Sequence, residues 1–128
     1  MRHDLLADMF CTIKNAESLG KTDCVVPASN LIKNVLAVME SNKYVGGLEY
    51  VDEGRGGRIT VKLIRKINDT GVIKPRFSVG AKEFTKYEKR FLPAVGRGIL
   101  LVSTPKGVMD QNRAREEKTG GKLLGYVY

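Results

Sequence analysis

Apolar side chains recur at helical spacing at the start of the chain: Leu5, Leu6, Met9, Phe10, Ile13 and Ala16 fall on one face. They predict a helix over Asp4–Leu19, capped by Asp4 and stopped by Gly20, with Lys14, Asn15 and Glu17 off the buried stripe. A short strand, Asp23–Val26, ends before Pro27, and Ser29 then suits the N-cap of a second helix. That helix buries Leu31, Ile32, Val35, Leu36 and Met39 and fades by Asn42. Leu48–Asp52 and Arg58–Leu63 read as a hairpin, because Ile59, Val61 and Leu63 alternate and Glu53-Gly54-Arg55-Gly56-Gly57 supplies a flexible turn. Helix–strand–helix–strand–strand order predicts a small sheet with two helices on one face.

The pattern then changes character. Val72–Lys74 and Phe77–Val79 are short strand segments broken by Pro75, and Lys82–Arg90 is a charged stretch of one or two helical turns. Gly98–Val102 is a continuous apolar run, the pattern of a strand buried on both faces. Asp110 can cap a short helix over Asp110–Lys118 whose only apolar interior residue is Ala114, and Leu123–Tyr128 closes the chain as a strand. The fold class expected is α+β: an N-terminal α/β domain over residues 1–66 and a C-terminal, mostly β domain over 67–128 with a short helix, divided near Lys66–Gly71.

Charge separates the same two halves. Residues 1–64 hold eight Lys/Arg and eight Asp/Glu, whereas residues 65–128 hold fourteen and six, so the second half carries the whole formal net charge of +8. A polyanion such as nucleic acid is the partner this favours, held mainly by the second half. Cys11 and Cys24 lack CxxC spacing and read as reduced core thiols, with a disulfide between them as the lesser alternative. No leader pattern opens the chain and no apolar run approaches the roughly 20 residues of a membrane span. The expected compartment is the cytoplasm.

Raw material for catalysis is scarce. His3 is the only histidine, and with two separated cysteines it makes too few ligands for zinc. Asp52 and Glu53 are adjacent and point apart on a strand. Gly54-Arg55-Gly56-Gly57-Arg58 joins two strands and matches neither phosphate-binding fingerprint, so it reads as a hairpin turn, with incidental phosphate contact by Arg55 or Arg58 as the alternative. No catalytic residue, metal site, cofactor or small-molecule substrate is expected.

The most informative stretch is GILLVSTPKG, residues 98–107, followed by Val-Met-Asp. A buried strand would end in two hydroxyls, Ser103 and Thr104, beside Pro105, the Lys106 ammonium and Gly107, where backbone can be approached closely. Hydroxyls suit the 2′-OH and irregular edges of folded RNA, and a lysine suits its phosphates. Ser-Thr-Pro before glycine is equally ordinary turn chemistry, and both readings stand at this point.

GILLVSTPKGVMD, an Arg-rich short helix, Gly120-Gly121-Lys122 and a final aromatic strand together resemble the S-eight family of small-subunit ribosomal proteins. The likeness runs along essentially the whole chain. LLADMFCTIKNAE resembles that family's first helix, PASNL its entry into the second, and IKPRF and EKRFLPA its archaeal and eukaryotic branch. The resemblance implies a protein that binds the central domain of small-subunit ribosomal RNA, at an irregular helix with an internal loop, helps it assemble, and meets neighbouring small-subunit proteins. It implies an RNA-reading loop of Ser103, Thr104, Pro105, Lys106 and Gly107, flanked by Gly120, Gly121 and Lys122. It also implies a second contact near Lys14, Asn15, Ser29, Asn30 and Lys33, although Ser29 has a sufficient role as a cap. Tyr126 supports the RNA surface or belongs to the core, with equal weight. Two positions depart from the family pattern: Lys122 stands where bacterial members commonly carry an acid, and Asn30 where a lysine is frequent. The competing readings are a regulator binding messenger RNA and an enzyme on a basic scaffold.

Overall fold

The computed structural model describes residues 5–52, 57–74, 76–94 and 96–128. The roles expected of His3, of Asp4 as a cap, of the turn residues 53–56 and of Pro75 as a strand break lie outside the described residues.

Helix α1 (Leu5–Ser18) buries Leu6, Met9, Phe10, Ile13 and Ala16. Leu5, expected on that stripe, is 45% exposed, because it sits in the first turn beyond the packed face. Gly20 ends the helix with two backbone bonds, its own N–H to the Glu17 carbonyl and that of Lys21 to Ala16. Strand β1 (Asp23–Pro27) runs one residue further than expected. It is the edge strand of its sheet, where a residue without an N–H is tolerated. Helix α2 (Asn30–Ser41) begins at Ser29, whose Oγ accepts from the Ile32 N–H at 3.1 Å, and it buries Ile32, Val35, Leu36 and Met39 while Leu31 is half-buried. Strands β2 (Val45–Asp52) and β3 (Gly57–Leu63) complete an antiparallel sheet in the order β1-β3-β2.

The second sheet is assembled around the last strand. Strand β8 (Gly121–Val127) pairs along one edge with both β4 (Thr70–Val72) and β5 (Ser78–Val79), and along the other with β6 (Ile99–Thr104). Strand β7 (Gly107–Asp110), which periodicity does not predict, pairs outside β6. Between them lie α3 (Phe84–Phe91) and α4 (Gln111–Glu116).

Strand β6 is buried on both faces, as its apolar run predicts. Ile99 and Leu101 join a cluster with Met9, Phe10 and Ile13 of α1 and Leu36 and Met39 of α2, while Leu100 and Val102 join Phe84, Met109, Ala114 and Leu123. The first cluster thus draws side chains from both sides of residue 66 and fixes the second sheet against α1 and α2. Helix α4 is capped by Asp110, whose carboxylate accepts from the Arg113 N–H. Its inner support is polar as well as apolar. Gln111 is 1% exposed, accepts from the Leu100 N–H at 2.7 Å and donates to Glu88 at 3.1 Å, and Glu88 is also paired with Arg115. Cys24 is buried, and burial first, then Asp23 and Glu17, push its thiol up to about 11. Cys11 is exposed, a correction to its expected core position, because it falls off the α1 stripe. Both thiols are free.

Candidate nucleic-acid interface

The functional candidates of the second half meet at one end of the second sheet. Ser103 stands directly opposite Lys122 on β8 and Val108 on β7, and Lys122 in turn stands opposite Ser78 on β5. Directly opposed residues on neighbouring strands point to the same face, so Ser78, Lys122 and Ser103 form a polar row across three strands. The row lies in an open groove of about 720 Å³ that also takes in Thr104, Pro105, Gly120 and Gly121.

Local chemistry explains the hairpin that carries the row. Thr104 pairs with Gly107, leaving Pro105 and Lys106 as a two-residue turn. Proline presets the dihedral of the first turn position, and Gly107 has φ of +118°, a conformation that disfavours side chains. The Thr104 hydroxyl braces the turn, donating to the Gly107 carbonyl at 2.7 Å and accepting from the Lys106 N–H at 3.1 Å. Thr104 is buried, so its proton is spent inside the turn. The Ser103 hydroxyl, half-buried, has no hydrogen-bond partner among the described residues. Lys106 and Gly107 are exposed at the tip, and nothing stands within 4 Å of where a Gly107 Cβ would be. Of the two hydroxyls, Ser103 therefore has a donor to offer and Thr104 holds the shape.

The double glycine is a packing requirement. A Cβ on Gly121 would fall 2.2 Å from the Ser103 carbonyl oxygen, and one on Gly120 would fall 2.4 Å from that of Val79. Real side chains do not tolerate such approaches, so the two glycines let β5, β8 and β6 close around the groove. Three polar side chains of the groove escaped the sequence reading: Arg76, Ser78 and Glu83. Arg76 lies inside the IKPRF motif, which offered a signal for it. Ser78 and Glu83 have no sequence signal, because only the register of β5 on β8 and the start of α3 bring them here.

The candidates of the first half are placed differently. Lys14 forms a 2.9 Å ion pair with Asp69, whose other carboxylate oxygen accepts from the hydroxyls of Tyr128 at 3.2 Å and Tyr126 at 3.4 Å. The Thr70 N–H also reaches Asp69, at 2.9 Å. Burial pushes the Asp69 carboxyl up, but Lys14, Tyr128 and the Thr70 N–H outweigh it and hold it below the ordinary carboxylate range. The hydrogen bond and charge of Asp69 raise Lys14 in turn. Tyr126 is half-buried and stacked between Phe91 and Tyr128, at 6.0 and 6.1 Å, so it packs rather than lining the groove. Lys33 lies over the Tyr50 ring at 3.8 Å, a cation–π contact. Ser29 is the α2 cap, and Asn15 and Asn30 are exposed on α1 and α2.

Among the described residues, no three His, Cys, Asp or Glu side chains gather as a metal site would require. No described helix is long and apolar enough to cross a membrane.

Comparison with known proteins covers the whole of this architecture. The family model described as Ribosomal protein S8 matches residues 4–128. The chain is 53% identical over 126 residues to the small ribosomal subunit protein uS8 of Methanococcoides burtonii, covering 98% of this chain and 97% of that one. It is 52% identical over 129 residues to that of Archaeoglobus fulgidus, with 100% of each covered. It is 48% identical over 126 residues to that of Pyrobaculum neutrophilum, with 98% and 97% covered.

Proposed function

The chain belongs to the ribosomal protein S8 family, and from that premise we propose that it binds the central domain of small-subunit ribosomal RNA and helps that domain assemble. Its role is that of a structural constituent of the small ribosomal subunit in the cytoplasm, in company with ribosomal RNA and other ribosomal proteins, and it is not an enzyme. The observation that carries the finer reading is the convergence of Ser103, Gly120, Gly121 and Lys122 on one groove in the basic half of the chain. Ser103 reads the edges of an internal loop, Thr104 and Pro105 hold the hairpin in shape, and Lys106 and Lys122 meet phosphate. Gly107 lets the RNA backbone approach the tip. Residues 1–66 act as the α/β unit that supports this surface and residues 67–128 as the RNA-binding unit. Asn15, Ser29, Asn30 and Lys33 offer a second, weaker contact, and Lys14 shares in it only when it leaves Asp69.

The test is binding to a central-domain RNA fragment and to a scrambled duplex of equal length, at fixed magnesium and several salt concentrations. A preference for the structured RNA that persists at about 0.15 M salt is the expected result. Equal binding to both, vanishing together as salt rises, would reduce the chain to a basic protein without a shape-specific partner.

A further inference from the structure

Among the described residues the groove contains one carboxylate, and its position calls for an explanation. Glu83 occupies the N-cap of α3, yet its side chain makes no capping bond. Glutamate is outside the set of residues that cap well; its charge suits a helix N-terminus, but no capping bond holds the carboxylate there, which leaves it free to face the groove. The Glu83 backbone N–H closes a tight turn onto the Gly80 carbonyl at 3.0 Å. Its Oε1 then lies over Gly80, 2.9 Å from where a Cβ would stand, so Gly80 leaves room for the carboxylate at the groove wall. Arg76, Lys122 and Ser103 line the same groove, and among the described residues Glu83 has no ion pair and accepts no side-chain hydrogen bond.

A groove that took only phosphate would be weakened by an acid, since like charges in one cleft repel. The same acid is useful where the ligand presents N–H donors, because carboxylates accept from exocyclic amino groups of bases. We propose that this groove is a base-reading pocket, in which Glu83 accepts from the amino-bearing edge of an unpaired RNA base. Ser103 supplies the neighbouring hydroxyl, and Arg76 and Lys122 hold the flanking phosphates. Its volume, about 720 Å³, lies within the roughly 300–1,000 Å³ of clefts that enclose small ligands. Bases splayed from an internal loop are the RNA form that such a cleft accepts. The inference rests on the RNA-binding reading above and assigns to Glu83 the choice of base.

The two alternatives differ in sign. Removing an acid from a phosphate groove tightens binding to every RNA, whereas removing a base acceptor weakens binding to the cognate RNA alone. Glu83→Ala and Glu83→Gln would be titrated against the central-domain fragment and against the scrambled duplex, with circular dichroism to confirm folding of these exposed-site variants. Glu83→Ala should weaken structured-RNA binding about tenfold while leaving duplex binding equal or slightly tighter. Glu83→Gln, which keeps an acceptor, should lose less. If wild-type protein prefers the structured RNA and Glu83→Ala binds it as well or better, the base-reading role is wrong and the RNA function stands. If wild-type protein shows no preference, both fall together.

Discussion

Two groups of candidate residues, one in each half of the chain, meet opposite fates in the fold. In the second half, residues separated by up to 44 positions, from Ser78 to Lys122, are drawn into one row by strand register. Ser103 keeps a free hydroxyl and Lys106 an exposed ammonium at the tip. In the first half, Lys14 is tied to Asp69, Ser29 to the start of α2 and Lys33 to the Tyr50 ring. Lysine and serine occur in both groups. The two groups differ in whether the fold has already used the side chain: Lys14 and Ser29 are committed, whereas Ser103 and Lys106 are not.

The comparison breaks most easily where the second-half groove depends on backbone contact. A Cβ at Gly121 would stand 2.2 Å from the Ser103 carbonyl oxygen, so β8 or β6 must move to admit one. Gly121→Ala should cost about 1–3 kcal/mol of stability in urea unfolding, the range of an overpacked interior, and should lower structured-RNA affinity in the protein that remains folded. Unchanged stability and affinity would mean that the double glycine does not set the groove.

Two serines sharpen the same contrast. Ser103→Ala should lose about 1–2 kcal/mol of structured-RNA affinity with little change in stability, since it removes a hydroxyl that the fold does not use. Ser29→Ala should do the reverse, costing about 1 kcal/mol of stability through the lost cap and leaving affinity almost intact. Paired urea melts and RNA titrations of both variants decide it. Exchanged phenotypes, with Ser29 the more important for RNA, would move the principal interface to α2.

These serines also mark how far a sequence can be read. The Ser29 cap, the α1 stripe and the doubly buried β6 follow from local periodicity, and each is in place because nearby residues suffice to specify it. Strand β7 was missed because Gly-Val-Met-Asp is short and its pairing depends on a turn locked by a buried threonine hydroxyl. Gln111 was missed because a polar residue gives no sign of burial until Leu100 and Glu88 are known to surround it. The loop from Ser103 to Gly107 was legible as a unit, but the division of labour inside it was not. Hydroxyls on adjacent residues look alike in sequence, and only the hairpin geometry commits one of them.

The smallest expected effect separates two lysines that the sequence treats as equals. Lys106 stands exposed at the hairpin tip, and Lys14 is bound to Asp69. Lys106→Ala should lower the salt slope of RNA binding by about 0.7 of a unit, the share of a single phosphate contact, and Lys14→Ala should leave the slope unchanged. Lys14→Ala should instead show in stability against pH. Asp69 is held below its usual range, so its contribution is present above its unfolded pKa and is lost as pH falls through the native one. Lys14 is raised, so its contribution is complete below its unfolded pKa and is lost only as pH climbs through the native one. The gap in melting temperature between wild type and Lys14→Ala should therefore be flat across neutral pH and close in acid, as pH falls through the lowered native range of Asp69. A gap that persists in acid would mean that Lys14 supports the fold through something other than Asp69. A salt slope that falls with Lys14→Ala as much as with Lys106→Ala would mean that the ion pair opens on RNA and the first half joins the interface.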